Sequence, residues 1–166
     1  MLDNGIEFLL MNINYSHGMY PLYQNQNAWW WENARGQRLL VWNGEHYNLG
    51  NVLGIKPNPA ENFLMENHLG KGSILADPVE TLHENLRYYR KLCQDNGYPY
   101  DFILASVSGV FSDNAPPEPE ILKNIQAYNE KYGGECRLQM VSLQELYEAI
   151  REKLADAPVY HGDLTD

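Results

Sequence analysis

Basic residues are scarce in this chain. Twelve Lys and Arg stand against 22 Asp and Glu across 166 residues, a formal charge of −10 at pH 7. No cationic stripe compensates for that acid, so nucleic-acid phosphates and anionic membrane surfaces are poor partners. Cysteine is scarcer still, with only Cys93 and Cys136 present. Two thiols build no disulfide framework, and their spacing matches no zinc motif; the expectation is two buried thiols in a reducing compartment. The opening MLDNGIEFLLMNINYSHG lacks a cationic n-region, and its apolar run is too short for a signal peptide or a membrane span. A cytoplasmic location is expected. G-x-G-x-x-G, Walker and G-x-S-x-G patterns are also missing, so nucleotide-binding and serine-hydrolase chemistry has no motif behind it.

What is present fits a folded domain: 44% hydrophobic and 20% charged residues. Aromatic side chains are prominent, with 12 Tyr and four Trp. Three of the tryptophans, Trp29, Trp30 and Trp31, are consecutive. Sugars and bases both stack on aromatic rings, but cores use the same rings, so the count alone decides little.

Hydrophobic period and turn chemistry divide the chain. LDNG reads as the last turn of a helix with Gly5 at a left-handed cap, and IEFLLMNI as a buried strand. AWWWE and QRLLVWN flank NARG, which has the composition of a hairpin or tight connection. A short helix is expected around PAENFLMENH, inside an otherwise irregular stretch from Gly44 to Gly72. Asp77, Pro78 and Glu80 predict a helix start with a capping box, followed by an apolar face of Val79, Leu82, Leu86, Tyr89 and Cys93 and a stop at Asn96–Gly97. YDFILASV and CRLQMV read as strands. EPEILKNIQAYNEKYGG reads as a helix with Ile121, Ile125, Tyr128 and Tyr132 on one face. SLQELYEAIREKLA opens with a capping box, Ser142 with Glu145, and presents Leu143, Leu146, Tyr147, Ile150 and Leu154. Apolar strands alternating with helices predict one α/β domain over residues 1–166, its parallel strands covered by helices. Both ends are expected to be cut from something longer, since PVYHGDLTD stops where a further element should follow.

In such architectures ligands gather beyond the carboxyl ends of the strands. NYSHGMY, NGEHYNLGN and SGVFSDNAPPEPE all fall there. Asp113, on a loop stiffened by Pro116 and Pro117, is a candidate general acid, with an Asx-turn or a helix N-cap as the alternative. Tyr47 and Asn48, beside His46, carry a hydroxyl and an amide suited to sugar hydroxyls; anchoring the loop is their alternative role. His17 and His46 sit on separate loops, and a solvated or hydrogen-bonded histidine is favoured over a metal pair. The tryptophans alternate across a strand, so core packing is favoured over a sugar platform.

Taken in order, these segments resemble the middle of the N-terminal catalytic domain of family-38 glycoside hydrolases, the α-mannosidases and their bacterial relatives. LDNGIEFLLMNIN is similar to the helix end and strand after the family's nucleophile segment. WWWENARGQRLLVWNGEHYN is similar to the stretch leading to its substrate-binding tyrosine. ETLHENLRYYRKLCQDNGYPYDFILASVSGVFSDNAPPEPEI is similar to the helix, strand and loop that carry its acid. IQAYNEKYGGECRLQMVSLQELYEAI and PVYHGD are similar to the units that follow.

The resemblance implies a partial (β/α) barrel, a retaining mechanism with two carboxylates, and a zinc ion that orients sugar hydroxyls. Tyr47 and Asn48 match the substrate-binding position, and Asp113 matches the acid loop. The family's acid follows Gly directly, whereas Val110, Phe111 and Ser112 separate Gly109 from Asp113; a stricter alignment sets Val110 there. The family's nucleophile and zinc ligands fall outside this sequence, so no zinc site is assigned to any of its residues. A non-catalytic carbohydrate-binding or scaffolding α/β domain is the other reading. The partners expected are a carbohydrate, the flanking barrel segments and, through open strand edges, a second copy. If the nucleophile is absent, the purified chain with zinc should not hydrolyse an aryl α-mannoside; turnover above the protein-free blank would contradict this reading.

Overall fold

The stretch Arg38–Gly44 contains the consecutive apolar residues Leu39, Leu40, Val41 and Trp42, which suit a strand covered on both faces. The computed structural model describes residues 1–12, 26–56, 76–107 and 116–162. In it Arg38–Gly44 is β3, interior in a four-stranded open sheet of order β1-β3-β2-β4, with Leu40, Val41 and Trp42 fully buried. The other strands are β1 (Phe8–Asn12), β2 (Asn27–Glu32) and β4 (Val159–His161). The described helices are α1 (Leu49–Leu53), α2 (Pro78–Asp95), α3 (Glu120–Tyr132) and α4 (Leu143–Ile150). The fold is mixed α/β. None of these helices is long and apolar enough to cross a membrane.

The chain divides into two compact units. The first comprises Met1–His46, Phe102–Leu104 and Val141–Asp166 and holds the sheet and α4. Two of the three ladders, β1 with β3 and β2 with β4, are parallel, while β2 and β3 form an antiparallel hairpin. The hairpin is the connection expected at NARG. The Asn33 side chain accepts from the Arg35 and Gln37 amides at 2.9 and 3.1 Å, and Gly36 takes a left-handed φ of 74°. Phe8 stacks on Tyr147 of α4 at 5.6 Å, and the Trp30 indole donates to the Leu154 carbonyl at 3.1 Å. Leu146, Ile150 and Leu154 are buried, but Leu143, expected on the same face, is 60% exposed. The helix is also shorter than expected, ending at Ile150 with turns beyond it. Its start is as read: Ser142 and Glu145 close a capping box. Gly5, with φ 74°, ends a single 3-10 turn, Leu2–Asn4.

The second unit comprises Tyr47–Asp101 and Ala105–Met140 and holds α1, α2 and α3. The Asp77 carboxylate accepts from the Val79 amide at 2.8 Å, Pro78 occupies the first turn, and Gly97 at φ 77° follows the helix end. Leu82, Leu86 and Tyr89 are buried as the helical period requires, and Ile121 and Tyr128 are buried on α3. Polar positions are buried too: Thr81, His83, Asn85 and Asn124. Cys93 and Cys136 are in no disulfide and are half-buried, not buried as expected.

Among the described residues, two expected strands join no ladder. Phe102–Val107 and Arg137–Val141 lie outside regular structure, and Met140 is 55% exposed. The reason is visible in their hydrogen bonds. Gln26 Nε2 donates to the Leu104 carbonyl at 2.6 Å, within the first unit. In the second, the Asn129 amide pairs with both the N–H and the C=O of Leu138, each at 2.8 Å. These side-chain amides occupy backbone groups that a neighbouring strand would otherwise engage. The helix expected at PAENFLMENH lies outside the described residues. Replacing Asn129 by Ala should cost about 1–2 kcal/mol in urea unfolding, because it strips the partners from both the N–H and the C=O of half-buried Leu138; an unchanged midpoint would contradict the pairing.

Candidate functional site

Within the first unit the parallel pairing of β1 with β3 places Asn12 opposite Gly44. A Cβ on Gly44 would meet the Asn12 side-chain oxygen at 3.0 Å, so glycine permits this approach. The loops after β1 and β3 therefore leave from one end of the sheet. The first begins at residue 13, outside the described segments, and so do His17 and the rest of NYSHGMY.

The second unit holds Tyr47 and Asn48. Both are half-buried and both are engaged by other groups. Asn48 precedes α1 with its side chain free of the capping role, while its carbonyl accepts from the Asn51 and Val52 amides at 2.9 and 3.0 Å. Two residues on, the Gly50 amide donates to the Ser106 carbonyl at 2.8 Å. A side chain at Gly50 would fall inside Val107 and 2.9 Å from that same oxygen. Glycine is thus required by a close backbone approach. The segment leading to the SGVFSDN loop is anchored against the helix that Tyr47 and Asn48 introduce.

Asp113 itself lies outside the described residues, but the helix it was expected to cap does not. Helix α3 starts at Glu120 with Pro119 at its N-cap, and the Glu118 carboxylate accepts from the Glu120 amide at 3.2 Å. The position that adjoins the helix is thus filled by a residue with no side-chain oxygen.

His46 is half-buried and engaged. Trp29, Trp30 and Trp31 are all half-buried; the Trp30 indole serves Leu154 and the Trp31 indole donates to the Gly162 carbonyl at 2.8 Å. The fully buried tryptophan is Trp42, whose indole donates to Gln26 at 3.2 Å and whose ring lies 5.2 Å from Phe102. These contacts favour packing, as expected.

Two charged clusters have no signature in the sequence. Glu80 was expected to close a capping box with Asp77. Instead its carboxylate accepts from the Tyr132 hydroxyl at 2.7 and 2.8 Å and from the Lys131 ammonium. The His83 ring stacks on Tyr132 with centroids 3.6 Å apart and planes 9° from parallel. The Lys131 hydrogen bond, then that of Tyr132, holds the Glu80 carboxyl below its ordinary range. A carboxylate so supplied with donors is a poor proton acceptor, so the cluster ties α2 to α3. In the first unit, Glu32 is bonded to Arg38 at 2.6 Å and lies 3.6 Å from His161, the first residue of a His-x-Asp spacing, His161–Asp163. The Arg38 guanidinium already neutralises that carboxylate and disfavours a metal there. Among the described residues no group of three His, Cys, Asp or Glu side chains could hold a metal ion.

Comparisons with models of known protein families, with curated proteins and with solved structures find no match for this chain.

The Glu80 tie has a pH signature. Its carboxyl is depressed in the folded state, so its contribution is present above the ordinary value of 4.5 and is lost as the pH falls through the folded value. Glu80→Gln should therefore be less stable than the parent chain at pH 7, and the gap should close on acidification below pH 4.5. Denaturant titrations across that range check this; a pH-independent gap would contradict it.

Proposed function

We propose that the turn at Tyr47 and Asn48, together with the Asp113 loop, forms the sugar-handling rim of a retaining glycoside hydrolase of the α-mannosidase type, acting on α-mannosides or related glycosides. The observation that carries this reading is the Gly50–Ser106 hydrogen bond at 2.8 Å. It anchors the segment leading to Asp113 against the helix that follows Tyr47 and Asn48. Asp113 is six positions beyond Val107, a reach of at most about 22 Å.

In this proposal Tyr47 and Asn48 hold sugar hydroxyls through their hydroxyl and amide groups. Asp113, protonated, delivers its proton to the glycosidic oxygen as the bond to the leaving group breaks. As a carboxylate it then accepts a proton from the water that releases the sugar. The nucleophile comes from the barrel segment that the resemblance places outside this sequence, and a (β/α) barrel completed around this α/β portion belongs to the same proposal. The described residues hold no group of three His, Cys, Asp or Glu side chains that fits zinc.

Titration of the chain with methyl α-D-mannopyranoside, followed by amide shifts, tests the reading. Binding should appear, and Tyr47→Phe should weaken it by about twofold to tenfold, the value of one hydrogen bond. Asp113→Ala should leave the urea midpoint of the chain unchanged, whereas loss of a helix cap costs about 1 kcal/mol. Absence of binding at millimolar sugar removes the carbohydrate reading. A stability loss at Asp113 with binding intact favours the non-catalytic sugar-binding domain.

A further inference from the structure

Helix α1 has five residues, Leu49–Leu53, and every one of them is buried. A helix so short is far below the length of about 12 residues at which isolated helices become even marginally stable, so something outside it holds it in place. Its last carbonyls have no helical partners of their own. Asn85, from the middle of α2, donates its amide to the Leu53 carbonyl at 3.2 Å. Asn124, from the first half of α3, donates to the Gly54 and Ile55 carbonyls, both at 2.9 Å. Asn85 is 0% and Asn124 8% exposed. On the other side of α1 the Gly50 amide is spent on Ser106.

We propose that Asn85 and Asn124 are positioning residues for the turn at Tyr47 and Asn48, a role that rests on the carbohydrate reading above. Apolar side chains at these positions would pack against α1 but would leave it free to rotate or slide. Two amides aimed at three successive carbonyls fix both its rotation and its height, because a buried hydrogen bond is directional and costly to break. The Asn48 carbonyl accepts from Asn51 and Val52, so the turn carrying Tyr47 is continuous with the helix being held. A ligand meeting a turn already fixed in this way loses less ordering entropy on binding.

Amide hydrogen exchange on the full chain tests the role. In the parent protein the Gly50, Gly54 and Ile55 amides should exchange within about tenfold of the centre of α2, although α1 is a single turn. The similarly sized variants Asn85→Leu and Asn124→Leu remove the donors without burying a charge. Each should speed exchange across α1 by more than about tenfold while changing α2 and α3 by less than about threefold. The dissociation constant for methyl α-D-mannopyranoside should rise about threefold or more in the same samples. Free exchange of α1 amides in the parent chain overturns the proposal even if neither variant folds. Equal loosening of α2 and α3 also overturns it, since that marks general destabilisation. If the parent binds no sugar, the carbohydrate reading fails, while the exchange pattern still decides whether the two asparagines hold α1.

Discussion

A buried peptide group needs a hydrogen-bond partner, and in this chain side-chain amides meet much of that need. Gln26 serves the Leu104 carbonyl, Asn85 and Asn124 serve the end of α1, and Asn129 serves both polar groups of Leu138. A carboxamide has the same donor and acceptor pair as a peptide unit. It can therefore stand in for an absent strand or helical turn, with a fixed direction that apolar packing lacks. The cost is high, because a carboxamide buried without partners loses its hydration and gains nothing. Gln26 shows how firmly such a group is held. It is 3% exposed, bonded at both ends of its amide, and the only described non-glycine residue with positive φ, at 58°. Asparagine and aspartate tolerate that region better than glutamine, so the surrounding contacts hold Gln26 there against its own preference.

Features that depend on a few neighbouring residues were legible in the sequence. Asp77–Pro78, Ser142 with Glu145, Gly97 and the Asn33–Gly36 turn each carry their reason within a handful of positions. So does β3, whose unbroken apolar run marks an interior strand. The misreadings share a different origin. The Leu104 carbonyl is satisfied by a glutamine 78 positions away in sequence. Glu80 is claimed by a tyrosine 52 positions away, not by the helix start beside it. Asn85 and Asn124 belong to neither apolar face read from the period, yet both are buried and their partners are carbonyls of another segment. No local pattern reports a partner so distant.

The site was legible to a similar depth. Gly44, Gly50 and Gly54 looked like loop punctuation in a region rich in Asn and Gly. The structure gives Gly50 a specific reason, a backbone-to-backbone approach that excludes any side chain. That reason links Tyr47 and Asn48 with Ser106 and Val107, two segments whose proximity the sequence could express only through a resemblance. The Glu80 cluster points the other way. An acid, a tyrosine, a lysine and a histidine in contact have the composition of a catalytic group, but Glu80 is saturated with donors and depressed by them. A general acid or base for neutral solution needs the reverse, a carboxyl short of donors in dry surroundings.

That contrast sharpens the question of Asp113. A carboxylate earlier in the chain than a helix is first suspected of capping it, and three prolines before Glu120 make that suspicion natural. At the start of α3 Pro119 occupies the cap position, having no side-chain oxygen to offer, and Glu118 accepts from the Glu120 amide. Elsewhere Lys131 and Tyr132 engage Glu80, and Arg38 engages Glu32. A general acid must keep its proton available to a substrate, and a carboxylate bound to a helix start is held ionised by the amides it serves. Freedom from such donors is thus a condition any general acid has to meet, and neither Glu80 nor Glu32 meets it.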